Sequence, residues 1–133
     1  MSLKRFGVSL EDHLLDDLDK IVERKQFPNR SQAIRFLVSQ SKVEEKWDEN
    51  QEVAGAIVIV YDHHKKDLQT KSTDIQHDYH DLILSVQHVH LDHYNCLETI
   101  AVKGQAGELT LLADRLIALK GIKHGKLVMS ACS

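Results

Sequence analysis

Two histidines one residue apart, His88 and His90, sit inside an apolar alternation, and five residues separate His90 from Cys96. Leu82, Leu84 and Val86 lead in, and Val89 and Leu91 carry the pattern on. Period-two alternation is strand geometry, so both imidazoles point to one face of a sheet. Asp92-His93-Tyr94-Asn95 is turn-rich, and Leu97, Ile100 and Val102 read as a returning strand. A loop over 91–95 then sets Cys96 across from His90 on the same face. Two imidazoles and a thiol are expected to converge there.

Burying three polar groups together without a shared partner costs several kcal/mol, so the arrangement asks for something that satisfies all of them. A metal ion does. Imidazole suits zinc, copper, iron and nickel, and a thiolate argues against magnesium and calcium. Three protein donors are one short of a four-coordinate site. His77 and His80 are the nearest spare donors, but they precede the strand. Either serves by folding over or by coming from a second copy of the chain. Seven of the nine histidines fall between His63 and His93, and His63, His64, His80 and His93 read as surface residues.

With 133 residues the chain can bury a usable core in one domain or two small ones. Net charge is −3, so bulk electrostatics do not announce nucleic acid. Two cysteines far apart give no disulfide framework and suit a reducing compartment. No apolar run approaches a membrane span, and the N-terminus lacks a signal peptide's apolar core. The expectation is a soluble cytoplasmic protein.

Residues 3–10 alternate, with Phe6, Val8 and Leu10 on one face and Arg5, Gly7 and Ser9 on the other. Glu11 and Asp12 open a helix at its positive end, and Ser9 with Asp12 fits a capping-box spacing. Leu14, Leu15, Leu18, Ile21 and Val22 form its stripe, and Phe27-Pro28 ends it. Asn29 caps a second helix with the stripe Ala33, Ile34, Leu37 and Val38. One short strand cannot stand alone, so two chains are expected to pair strands into a ribbon over four helices. Such a ribbon-helix-helix (βαα) unit over residues 1–46 fits the DNA major groove. Lys4, Arg5, Gly7 and Ser9 would lie on the ribbon, and Asn29, Arg30 and Ser31 would meet a phosphate at the helix start. Residues 1–46 hold nine Lys/Arg and eight Asp/Glu, a net of +1, but residues 1–10 contain no acid.

Residues 41–52 are polar and read as a helix end running into a linker, with Trp47 at the domain junction. Residues 54–61 form an apolar strand expected to be buried on both faces or nearly so. A helix over 64–76 has few anchors beyond Leu68 and Ile75. After the two donor strands, Gly104 and Gly107 bracket a turn into a helix that Gly121 stops, and residues 122–129 form a last strand. Strand-helix-strand-strand-helix-strand over 53–133 is a ferredoxin-like (ACT-like) domain in an α+β chain. Helices on one face leave the other bare, which invites a partner.

Over essentially its whole length the chain resembles the NikR family of nickel-responsive transcription regulators. Asn29-Arg30-Ser31-Gln32-Ala33-Ile34-Arg35 carries the N-terminal resemblance, which many ribbon-helix-helix proteins share in outline. His77, ten residues, His88-Val89-His90, five residues, Cys96-Leu97-Glu98 carries the sharper C-terminal one. The resemblance implies that His88, His90 and Cys96 bind Ni2+ in one subunit. It also implies that His77 of a neighbouring subunit completes a square-planar site, with Gln76 and Glu98 as supporting residues. Two features depart from the pattern. Gly7 stands where the family's ribbon carries a polar side chain, and Gln32 and Phe36 stand where acids help hold a second cation.

What the resemblance implies is a homotetramer, a dimer of dimers bound to double-stranded operator DNA, one nickel per subunit, and repression of nickel uptake. Such a protein is not an enzyme and has no small-molecule substrate or membrane partner. A metallohydrolase would need an open coordination position and a general base, which a completed four-donor set denies it. An antitoxin would not need the His-x-His-x5-Cys cluster. A regulator answering to another transition metal, or to a small molecule in the C-terminal domain, shares the architecture and is the alternative.

Overall fold

In the computed structural model, which describes residues 2–132, helix α1 spans Asp12–Arg24 and α2 Arg30–Asp48. Strand β1 (Glu52–Asp62), α3 (Lys66–Asp78), β2 (Ile83–His90), β3 (Asn95–Gln105), α4 (Ala106–Ile117) and β4 (Ile122–Ser130) follow. The chain forms two compact units divided between Ser41 and Lys42.

In the first unit, no strand forms over residues 3–10, where sequence alternation predicts one. The physical reason is the one that made it an orphan: a single chain offers its N–H and C=O groups no neighbouring strand. Phe6 and Val8 stay 74% and 58% exposed. The predicted capping box is also absent, since Glu11 is the N-cap of α1 and no side chain caps that end. Asn29 does cap α2, its Oδ1 accepting from the Gln32 N–H at 2.9 Å. Phe36 stacks tilted against Phe27 with 5.4 Å between ring centroids, and the Lys25 ammonium lies 5.2 Å from the Phe36 ring. Ala33 is buried, but α1 contains no buried residue, so this unit has almost no core of its own.

Polar residues 41–48, expected to run out into a linker, are helical to Asp48. Trp47 explains why: it is buried in the second unit, and its indole N–H donates to the Ser130 carbonyl at 2.9 Å. Burying an indole requires such an acceptor.

The second unit is a four-stranded antiparallel sheet in the order β2-β3-β1-β4. With helices α3 and α4 between the strands, this is the βαββαβ ferredoxin-like topology. Ile57 and Ile59 of β1, Ile100 and Val102 of β3, and Leu109, Leu112 and Leu116 of α4 form its core. The apolar run over residues 54–61 predicts a strand buried on both faces or nearly so. In fact Val53, Ile57, Ile59 and Tyr61 are buried, whereas 54, 56, 58 and 60 are only half-buried. The helices all pack on one side, so period two divides the apolar run into a covered and a bare face.

No turn separates β3 from α4, contrary to the expectation from Gly104 and Gly107. The strand passes straight into the helix because the helix start is capped from elsewhere. Asn50 Oδ1 accepts from the Gly107 N–H at 2.7 Å, and the Gln51 carbonyl from the Ala106 N–H at 3.0 Å. Asn50 has φ +54°, a left-handed conformation that asparagine tolerates. Asn50→Gly should therefore lose only the cap, roughly 1 kcal/mol. Asn50→Ala should lose the cap and gain backbone strain, roughly 2 kcal/mol in all. Urea unfolding of the two variants reads the difference directly.

Candidate metal centre

The hairpin that presents the donors is built by Asp92. Its Oδ1 accepts from the N–H groups of Tyr94 (2.8 Å) and Asn95 (2.7 Å), and its Oδ2 from the Asn95 amide (3.0 Å). The Leu91 N–H closes the loop on the Asn95 carbonyl at 2.8 Å. The Asn95 side-chain amide, followed by these backbone N–H groups, pulls the Asp92 carboxyl down from 3.8 to about 2. A depressed carboxyl stabilises the fold above its unfolded pKa and loses that contribution as pH falls through its folded value. Protection of the Tyr94 and Asn95 amides should thus hold at pH 5 and fade between about pH 4 and 2, and amide exchange measures it.

The loop length sets the register. His88 pairs with Glu98 and His90 with Cys96 across β2 and β3, and Cys96 pairs with Tyr61 across β3 and β1. All five share the side on which Ile100 and Ile57 are buried under the helices. Cys96 is 2% exposed and Glu98 1%, while β2 is an edge strand whose two histidines are exposed. His88 turns inward: its Nδ1 lies 3.8 Å from Cys96 Sγ, 3.4 Å from Tyr61 Oη and 3.4 Å from Glu98 Oε1.

Behind this pair lies a hydrogen-bonded chain that reaches α3. The Tyr61 hydroxyl donates to Glu98 Oε1 at 2.8 Å. Gln76 Nε2 donates to Glu98 Oε2 at 2.6 Å and to Ser72 Oγ at 3.1 Å. Burial and the Glu98 carboxylate both raise the Tyr61 pKa well above its ordinary value, so the hydroxyl remains a donor. These side chains, with Gln69 and Thr73, line a polar pocket of about 280 Å³.

The donors expected at one point are thus brought together in part. His88 and Cys96 are adjacent. His90 shares their face, but its exposed ring packs on His63 with 4.6 Å between centroids. His77 is exposed at the end of α3, stacked on His80 at 5.9 Å, with its carbonyl accepting from His80 Nδ1. Among the described residues, no three His, Cys, Asp or Glu side chains are gathered closely enough within one chain to hold an ion. A strand-end imidazole on a sheet edge is free to rotate, and a helix-end one has no strand register to direct it.

His63, His64, His93 and Tyr94 form a separate ring cluster beside His90, with His63 and His64 4.1 Å apart. Of the residues expected at DNA, Lys4, Arg5, Gly7 and Ser9 are exposed. Ser31 is exposed at the start of α2, Asn29 serves as its cap, and the Arg30 guanidinium forks onto Asp19 at 2.8 and 2.9 Å.

Sequence reasoning missed Tyr61 and Ser72. Tyr61 carries a faint signal, being the polar-tipped end of an apolar run, but nothing local ties it to Cys96.

The donor chemistry fits a transition metal. Glu98 is buried with its Oε1 3.4 Å from His88 Nδ1, so an ion held by that imidazole would lie near a carboxyl group. His88, Cys96 and His90 are the residues that would hold the ion, with Glu98 and Gln76 behind them. A soft thiolate beside imidazole excludes a hard-cation site.

Comparison with known proteins agrees. Residues 54–130 match the model of the NikR C-terminal nickel-binding domain. Relatives named provisionally as nickel-responsive regulators match nearly end to end. That of Desulfovibrio desulfuricans is 53% identical over 93% of this chain and 90% of its own. That of Syntrophus aciditrophicus is 52% identical over 95% and 92%, and that of Thermococcus onnurineus 51% over 98% and 95%. An uncharacterized protein of Thermotoga maritima shares the fold, with a TM-score of 0.54 at 14% identity over 59% of this chain and 98% of its own. A sheet that seats His88 against Cys96, inside a matched domain and among relatives matched over nine-tenths or more of their length, leads to one conclusion: the chain belongs to the NikR family, whose C-terminal domain binds nickel and whose members are regulators, not enzymes.

Proposed function

We propose that this protein is a cytoplasmic, nickel-sensing, DNA-binding regulator that represses nickel uptake. The observation that carries the metal half is the apposition of His88 Nδ1 and Cys96 Sγ at 3.8 Å, with His90 directly across from Cys96. His77 of a neighbouring subunit completes the donor set, which makes the ion a link between two chains. An ion so placed also meets α3, through Glu98 and Gln76, and this helix carries His77 in its last turn.

The DNA half rests on unsatisfied apolar surface. Phe6, Val8, Leu10, Leu15, Leu18 and Ile34 line an open hollow of about 780 Å³ in the first unit. A second copy fills it, pairing residues 3–10 into the ribbon of a ribbon-helix-helix dimer and placing Lys4, Arg5 and Ser9 toward the major groove. Gly7 contributes no base-edge donor there. The half-buried outer face of the ferredoxin-like sheet joins such dimers into a homotetramer. No helix of the described chain is long and apolar enough to cross a membrane. Metal and DNA binding are then coupled by about 1–3 kcal/mol, as is typical of linked sites.

Two measurements test this. Selection of genomic fragments by the full chain should enrich discrete sites with nickel and not with a chelator; enrichment indifferent to nickel would sink the sensor. Mixing His77→Ala chains with His88→Ala chains should restore part of the nickel capacity that each lacks alone. Homogeneous failure of the mixture would place both residues in one subunit's site.

A further inference from the structure

We propose that Tyr61 is a positioning residue for the metal centre, its hydroxyl tying the buried Glu98 carboxylate to the Nδ1 edge of His88 and so setting how that imidazole meets an ion. The proposal rests on the reading of His88 and Cys96 as metal ligands. Tyr61 comes from β1, whereas both ligands come from the β2–β3 hairpin. It reaches them because it stands directly across from Cys96 in the β1–β3 register, 2% exposed.

The hydrogen-bond inventory explains what the hydroxyl does. A phenol has one proton to donate, and here it goes to Glu98 Oε1 at 2.8 Å. The phenol's lone pairs then accept from an Nδ1–H of His88, 3.4 Å away, which leaves Nε2 as the nitrogen free for an ion. The other Glu98 oxygen is held by Gln76 at 2.6 Å, so the carboxylate cannot swing to compensate for a lost partner. The His88 side chain is 54% exposed on an edge strand, where packing alone does not select a rotamer. The inward orientation is held by three polar neighbours, of which Tyr61 and Glu98 act together. A merely structural tyrosine would fill the core with its ring and would be replaceable by phenylalanine at no cost to metal binding.

The test is Tyr61→Phe in the full-length chain, which keeps the ring and removes the oxygen. Nickel affinity is measured against a competing chelator, alongside the thiolate-to-nickel charge-transfer band and the melting temperature of the metal-free protein. Nickel binding should weaken by about 10–100-fold with a shifted band, as for loss of a partner that orients a ligand. Metal-free melting should fall as well, by roughly 5–15 °C, because a buried carboxyl oxygen loses its donor; affinity and band are therefore read well below that melting. Unchanged affinity and band in Tyr61→Phe, with the band still abolished in Cys96→Ala, would overturn the role of Tyr61 and leave the metal site standing. A wild-type chain without the band would overturn both. Should the variant fold poorly, imidazole 15N NMR of the wild-type metal-free chain decides. One fixed His88 ring with a slowly exchanging Nδ1 proton supports the proposal, and a ring averaging between orientations overturns it.

Discussion

Cys96→Ala is expected to abolish the thiolate-to-nickel band and to weaken nickel binding by more than the roughly 10–100-fold that follows loss of an outer supporting residue. In the proposed set the Cys96 sulfur is the single soft donor, and removing it leaves imidazoles that hold many divalent ions with little preference. Discrimination should therefore suffer along with affinity. Cys96 is 2% exposed but small, so the metal-free fold should lose only on the order of 1 kcal/mol. Absorbance titration, with thermal melting of the metal-free protein as control, separates these two effects. A variant that keeps the wild-type band would mean that the sulfur is a core residue and not a ligand.

The largest effect on stability should come from Ile57→Ala. Ile57 is fully buried at the middle of β1, between Ile100 of β3 and Leu127 of β4 in the sheet register. Both strand neighbours and the helices above lose contact atoms at once, and a central strand has little freedom to collapse into the gap. The expected cost is about 2–5 kcal/mol. For a unit of this size that corresponds to a fall in melting temperature of roughly 10–30 °C. Urea unfolding should show an earlier midpoint with an unchanged slope. A loss below about 1 kcal/mol would indicate that the two sheet neighbours repack freely.

The two substitutions probe different kinds of legibility. Asp92 and the turn residues around it made the hairpin readable, and the five residues from His90 to Cys96 made its register readable, because both are local. Helix α2 was readable at Asn29 but not at its end. Residues 41–48 have no apolar stripe of their own, and they stay helical because Trp47 finds a core and the Ser130 carbonyl far along the chain. The β3–α4 junction misled for the same reason: Gly104 and Gly107 look like a turn, but Asn50, more than fifty residues earlier, caps the helix there. Residues 3–10 misled in the opposite direction. Their alternation is a real strand pattern, but a strand needs a neighbour that one copy of the chain does not contain.

Taken alone, the order of amino acids determined that two imidazoles and a thiol share one face, and it determined the βαββαβ succession, because period-two alternation and a short loop act within twenty residues. Only the folded chain decided what stands behind the donors. Tyr61, Gln76 and Ser72 meet Glu98 through the β1–β3 register and the docking of α3. Those depend on burial shared between distant segments, a quantity that no local pattern encodes.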